Sequence, residues 1–320
     1  MSDADGKQDK DAFGDFLPPQ PPPSVAPPGY TPPAPAYSQP PQHEPALQQP
    51  AGTLAPNWKP WMAFAALGAA FLGGGVLALI AMVAVTGGDF DAKNLSAPAA
   101  ISSLVMQDLA FVAAAVGIAW IGTKPEPWHF GWRPVKKFWP AIGWTAVLYL
   151  SFIAFTAAFL AITGQEDQKD TLAEDLGADS STAAAVAICV LIAVGAPLVE
   201  ELLFRGFIFG SLRQSLPLWP AALITGVLFG SAHVFGSPIA FILPLAFLGT
   251  GLCLLYNRTG SLYPPMAVHA INNSVAGVSA LDWDPALIPV VVGGSLAAIA
   301  LVAWIVRSVT GPVPADAPSP

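Results

Sequence analysis

From residue 58 onward the chain is a succession of long apolar runs separated by short polar breaks. Eight runs stand out, near 61–86, 98–121, 138–162, 182–199, 218–235, 238–256, 262–280 and 286–306. Each approaches the roughly 20 residues that a helix needs to cross the hydrocarbon of a bilayer. None alternates apolar and polar residues with the period of two expected of a membrane strand. Their Gly and Ala content suits closely packed membrane helices, and their Trp residues suit interfacial anchors. The pattern predicts an all-α fold, a polytopic membrane helix bundle with about eight transmembrane helices.

Residues 1–57 break this pattern. They are polar and crowded with proline, as in "PPQPPPSVAPPGYTPPAPAYSQPPQ". Such a segment buries too little apolar surface to offset the entropy of ordering it, so a disordered proline-rich cytoplasmic tail is expected. It serves as a tether or as a docking site for a domain that reads polyproline. The basic start and short apolar run of a secretory leader are not expected in it. The helices divide into an amino-terminal set over 58–165, a core over 180–280, and a last helix with a short tail over 281–320.

Composition and charge orient the bundle. With 54% hydrophobic and 11% charged residues the chain is too apolar for an ordinary soluble domain. If the tail lies inside, the inner segments hold Lys59, Lys124, Arg133, Lys136, Lys137, Arg213, Arg258 and Arg307, while the outer loops hold Lys93 and Lys169. The outer loops are acidic, as in "GQEDQKDTLAEDLGADS". This is the positive-inside asymmetry, and it predicts a multi-pass plasma-membrane protein with both termini in the cytoplasm; the composition reads as bacterial. Cys189 and Cys253 both fall in apolar runs, which argues against a disulfide framework. No basic patch laced with aromatic residues points to nucleic acid as a partner.

The ionisable residues inside or at the ends of the runs are Asp108, Glu200, Glu201, Arg205, His233 and His269. A charge at the middle of a membrane helix costs about 2.5–3.5 kcal/mol on insertion scales, so each is a candidate for function. The bland alternative is a polar clip between helices, and Asp108 reads best that way. Glu201 and Arg205 are four apart with the acid on the amino-terminal side, the better orientation for an intrahelical pair. Glu200 is then left without a helical counter-ion, which suits a general base. Depth adds a partner. If the fourth helix continues to a turn at Leu216–Pro217, Glu200 lies sixteen residues before Leu216 and His233 sixteen after Pro217. Both then sit about 24 Å from the turn and can face each other. Further on, Pro264 and Pro265 suit the first turn of a helix on which His269 and Asn273 share a face. A His and an Asn aimed at one point can donate to an oxyanion or grip a water.

Three short motifs gather these residues: "EELLFR" at 200–205, "FGSAH" at 229–233 and "HAINN" at 269–273. In order and spacing they resemble the CPBP family of intramembrane CAAX proteases and bacteriocin-processing proteins, also called Abi, over about residues 180–280. The resemblance implies an all-helical membrane fold that hydrolyses peptide bonds inside the bilayer. By position it implies that Glu200 and His233 activate water, that His269 and Asn273 stabilise the oxyanion, and that Glu201 and Arg205 support the site. The expected substrates are membrane-associated or leader-bearing peptides or proteins, the prenylated CAAX type among them, and the lipid bilayer is the other partner. No cofactor follows from the residues alone. The family is often described as metal-dependent, and if Zn2+ is present its ligands are Glu200, His233 and His269. A His-Glu-x-x-His helix is absent from the sequence. A catalytically silent scaffold or immunity protein of the same fold, and a transporter, are the competing readings. A rhomboid-type Gly-x-Ser-Gly is missing, and Asp108 alone cannot make an aspartyl pair.

Overall fold

The computed structural model describes residues 56–89, 95–168, 176–234, 236–315 and 317. The expected tail, except for its last two residues, lies outside them. The apolar runs fold into eight helices among the described residues. They are α1 (Pro60–Thr86), α2 (Ala97–Gly122), α3 (Phe138–Thr163), α4 (Thr182–Arg213), α5 (Leu218–Ala232), α6 (Ile239–Thr259), α7 (Tyr263–Ala280) and α8 (Pro285–Thr310). Six are long and apolar enough to cross a membrane, and the chain is a multi-pass membrane protein. The other two, α5 with 15 residues and α7 with 18, are the helices that carry His233 at an end and His269 with Asn273.

Two boundaries differ from the expectation. The fourth run was expected to end at residue 199, but α4 continues to Arg213. The charges at 201 and 205 do not end it, because they pair with each other inside the helix. The fifth was expected to reach 235, but α5 stops at Ala232 and His233 takes a non-helical ψ of 1°. The His233 carbonyl instead accepts from the N–H groups of Gly236 and Ser237, in a turn that leads to Pro238 at the start of α6.

Inside α4 the ladder shifts to a wider π-type turn over Leu191–Gly195, closed by the Ala196 N–H on the Leu191 carbonyl. The next donor in that register is Pro197, which has no N–H. The Ile192 carbonyl is thus left without a backbone donor from its own helix. Such bulges need a side chain to complete them, and one arrives from α7, as described below.

Lipid tails are as apolar as leucine, so helices in a membrane associate by close packing and polar links rather than by escape from water. The α5–α6 pair shows this. Gly226 and Gly230, four apart on α5, press against Thr250 and Ala246 of α6; a Cβ at Gly230 would meet the Ile242 carbonyl oxygen at 2.7 Å. Gly249 of α6 lies in turn against Phe229. Around this crossing, Phe204, Phe207, Phe229, Tyr256 and Met266 are fully buried. Leu72, Ile80, Leu150, Ile162 and Val309 point outward, as a hydrocarbon solvent allows. The α2–α3 connection is fastened under the α6–α7 turn. The Tyr256 hydroxyl donates to the Phe130 carbonyl at 2.9 Å, and the Leu262 N–H to the Gly131 carbonyl at 2.9 Å. Gly131 has φ +84° with the Tyr256 ring against it, so only glycine fits there.

Candidate active site

The site is built where α4, α5 and α7 meet. Glu201 and Arg205, one turn apart on α4, are both fully buried, with Arg205 Nη1 donating to Glu201 Oε1 at 2.8 Å. The same oxygen lies 2.9 Å from His269 Nδ1 of α7. Arg205 also donates to the Gly249 carbonyl of α6 at 3.3 Å and stacks over the Phe229 ring of α5 at 4.3 Å. Four helices are therefore tied by one buried ion pair. Its carboxylate fixes the His269 ring, because a carboxylate accepts and Nδ1 must carry the proton toward it.

Glu200 faces the other way, as helical geometry requires of the adjacent residue. Its Oε2 lies 3.9 Å from His233 Nε2 and 3.9 Å from His269 Nε2. That oxygen is buried and makes no hydrogen bond with any described residue. His233 is fixed much as His269 is. Its Nδ1 lies 2.8 Å from the Phe229 carbonyl, so Nδ1 donates and Nε2 is turned to Glu200. The side chains of Glu200 and His233 are 17% and 24% exposed, against 3% for His269, so the site opens along the Glu200–His233 side.

Asn273 sits one turn after His269 on α7. Its Nδ2 donates at 2.8 Å to the Ile192 carbonyl, the one that Pro197 leaves without a donor, and thereby completes the bulge in α4. Its Oδ1 accepts from Asn272 Nδ2 at 3.3 Å. The amide has a second hydrogen, for which the described residues show no acceptor.

All six residues singled out from the sequence thus lie in one neighbourhood. Phe229 belongs with them, and the sequence signalled only its place in a motif. Its ring touches Arg205, His233 and His269, and its carbonyl orients His233. Asp108 of α2 also approaches. A Cβ on Gly195, in the α4 bulge, would lie 2.8 Å from Asp108 Oδ2, and the Asp108 and Glu200 charges are within Coulomb reach.

Residues 182–275 match the family model described as type II CAAX prenyl endopeptidase Rce1-like. That segment is similar to the family. The matched segment runs from α4 into α7 and contains Glu200, Glu201, Arg205, His233, His269 and Asn273. The chain is also similar to the "Putative membrane peptidase YdiL" of Bacillus subtilis (strain 168), with 30% identity over 86 residues. The similar stretch is 27% of this chain, and the chain spans about a third (34%) of the length of that curated relative. No solved structure matches the chain.

The donor set was tested against zinc. Two imidazoles with their far nitrogens held by a carboxylate and a carbonyl, plus a glutamate, have the right chemistry. The spacing does not close. Tetrahedral zinc with bonds of about 2.0–2.1 Å needs ligand atoms about 3.3 Å apart, and both separations here are 3.9 Å. No group of three or more His, Cys, Asp or Glu among the described residues is set to hold a metal ion. As placed, the residues do not fit the ion.

Proposed function

We propose that the protein is an intramembrane endopeptidase whose Glu200 and His233 activate a water against a peptide bond. The supporting observation is the convergence of two fixed imidazole nitrogens on one buried carboxylate oxygen, at 3.9 Å each. A polar gap of that length suits one bridging water. The water donates one hydrogen to Glu200 and the other to His233 Nε2. Glu200 takes the first proton as the water oxygen bonds to the scissile carbon. The developing oxyanion accepts from His269 in its imidazolium form, with Nδ1–H held by Glu201 and Nε2–H turned to the site, and from the second amide hydrogen of Asn273. As the C–N bond breaks, the proton on Glu200 passes to the leaving amine. Glu201 and Arg205 hold His269 in place and do not touch the reacting atoms. Asn273 does double duty, since its first amide hydrogen maintains the α4 bulge beside Glu200.

The substrate class that fits is a membrane-anchored or leader-bearing peptide, prenylated CAAX-type chains included, entering on the exposed Glu200–His233 side. The inner positive charges favour a plasma membrane with both termini in the cytoplasm. Comparing the membrane peptidomes of cells that make the wild-type protein and cells that make Glu200→Ala tests this reading. Uncut precursors accumulating in the variant, at equal protein level, are expected. Identical peptide sets would overturn it.

A further inference from the structure

One cavity plays no part in this site. Between α3, α5 and α6 lies a groove of about 870 Å³ with an almost wholly apolar lining that includes Val147, Phe155, Leu223, Val227 and Leu243. Four of these, all but Phe155, are more than 40% exposed, so the groove opens sideways to the bilayer. None of Glu200, His233, His269 or Asn273 lines it. At one end it meets a second cavity of about 310 Å³ through two shared residues, Trp144 and Arg258. This second cavity is basic: Lys136, Lys137, Arg258 and the buried Arg133 line it. Lys136, Lys137 and Arg258 are exposed, and Arg258 stands over the Trp144 ring at 5.4 Å.

We infer that an anionic glycerophospholipid occupies this pair of cavities. Its phosphate lies among Lys136, Lys137 and Arg258, and its acyl chains run along α3 from Trp144 to Phe155. Three features converge on that ligand. The groove is apolar and faces lipid, which suits hydrocarbon. From Trp144 to Phe155 it spans eleven residues of α3, roughly 16 Å, or about half of a hydrocarbon core of ~30 Å, the depth of one leaflet. The cations stand at the interfacial end only, beside a Trp, where a headgroup phosphate belongs. A neutral isoprenoid or acyl anchor on a peptide would fill the groove without any need for the three cations. The lipid bridges α3 to the α5–α6 pair, whose other face supplies His233.

The test uses the full-length protein, purified in detergent and stripped of lipid, then offered equal amounts of phosphatidylglycerol and phosphatidylcholine. Retained lipid is counted by native mass spectrometry. The wild type should keep phosphatidylglycerol in preference, and its affinity for that lipid should fall roughly fivefold for each cation replaced in Lys136→Gln, Lys137→Gln and Arg258→Gln. Val227→Trp, at an exposed lining position, should reduce retention of both lipids; Leu223→Trp is a second filler with the same expectation. Equal retention of the two lipids by the wild type would overturn the inference. So would a preference that survives the triple replacement, or retention unchanged in both fillers. Capture of a farnesylated peptide by a protein that ignores phosphatidylglycerol would also overturn it.

Discussion

The two adjacent glutamates sit in opposite surroundings. Glu201 is sealed: fully buried, with contacts of 2.8 and 2.9 Å to Arg205 and His269, and those residues are tied to two further helices. Glu200 is open on one side, and its nearest imidazole nitrogens stand 3.9 Å away. A buried charge is tolerated in lipid when its partners are close, which is the condition on the Glu201 side, even though Glu201 Oε2 and Arg205 Nε find no hydrogen-bond partner among the described residues. A reacting carboxylate needs room for a third body and access to it, which is the condition on the Glu200 side. In the proposed mechanism, one residue of helical rotation separates a structural charge from a chemical one.

Substitutions can break that contrast. The largest loss of stability is expected from Glu201→Ala. It strands the Arg205 guanidinium in the core and should cost about 3–5 kcal/mol. Thermal unfolding in detergent, or yield of folded protein, reads this directly; a variant as stable as wild type would place the pair outside the fold's support. Asn273→Ala removes one proposed oxyanion donor and the cap on the Ile192 carbonyl. A drop in kcat of roughly 10²-fold is expected, together with a measurable loss of stability. The two histidines should then separate. His269→Ala, on the sealed side, should lower both stability and turnover, whereas His233→Ala, on the open side, should lower turnover by about 10²-fold and leave the melting temperature within a few degrees of wild type. Equal effects of the two on stability would erase the distinction. The smallest effect is expected from chelation. Because the 3.9 Å separations do not form a zinc cage, treatment with a chelator should leave peptide cleavage unchanged, and lost activity restored by Zn2+ would show that the ligands close around an ion.

Much of this could be read in the sequence, and for physical reasons. Lipid leaves few options for polar residues, so the runs from Pro60 to Thr310 marked the helices and the rare charges within them marked the site. The equal spacing of Glu200 and His233 from the Leu216–Pro217 turn anticipated their meeting, although α4 has a wide-turned π-type stretch over Leu202–Phe209, so its rise between Glu200 and the turn is not regular. Local irregularities were less visible. The early end of α5 depends on hydrogen bonds from Gly236 and Ser237 to His233, and apolarity does not report those. Pro197 leaves a carbonyl of α4 without a backbone donor. That Asn273, more than seventy residues on, would complete it depends on the packing of α7. The link between His269 and Glu201 was hidden for the same reason, and Glu201 had been assigned to Arg205 alone. The approach of Asp108 to Gly195 likewise follows from α2 against α4, a contact with no periodic signature. The lipid-facing groove is formed by residues whose outward positions look like any other membrane surface, and only its proximity to the cations at 136, 137 and 258 sets it apart.

The most direct test is Glu200→Gln, assayed in liposomes against a membrane-anchored peptide that the wild type cleaves, with melting temperature measured on the same preparation. The substitution keeps shape and removes the base. Cleavage should fall by about 10²–10⁴-fold with the fold intact. Cleavage persisting near the wild-type rate in that folded variant would contradict the role given to Glu200.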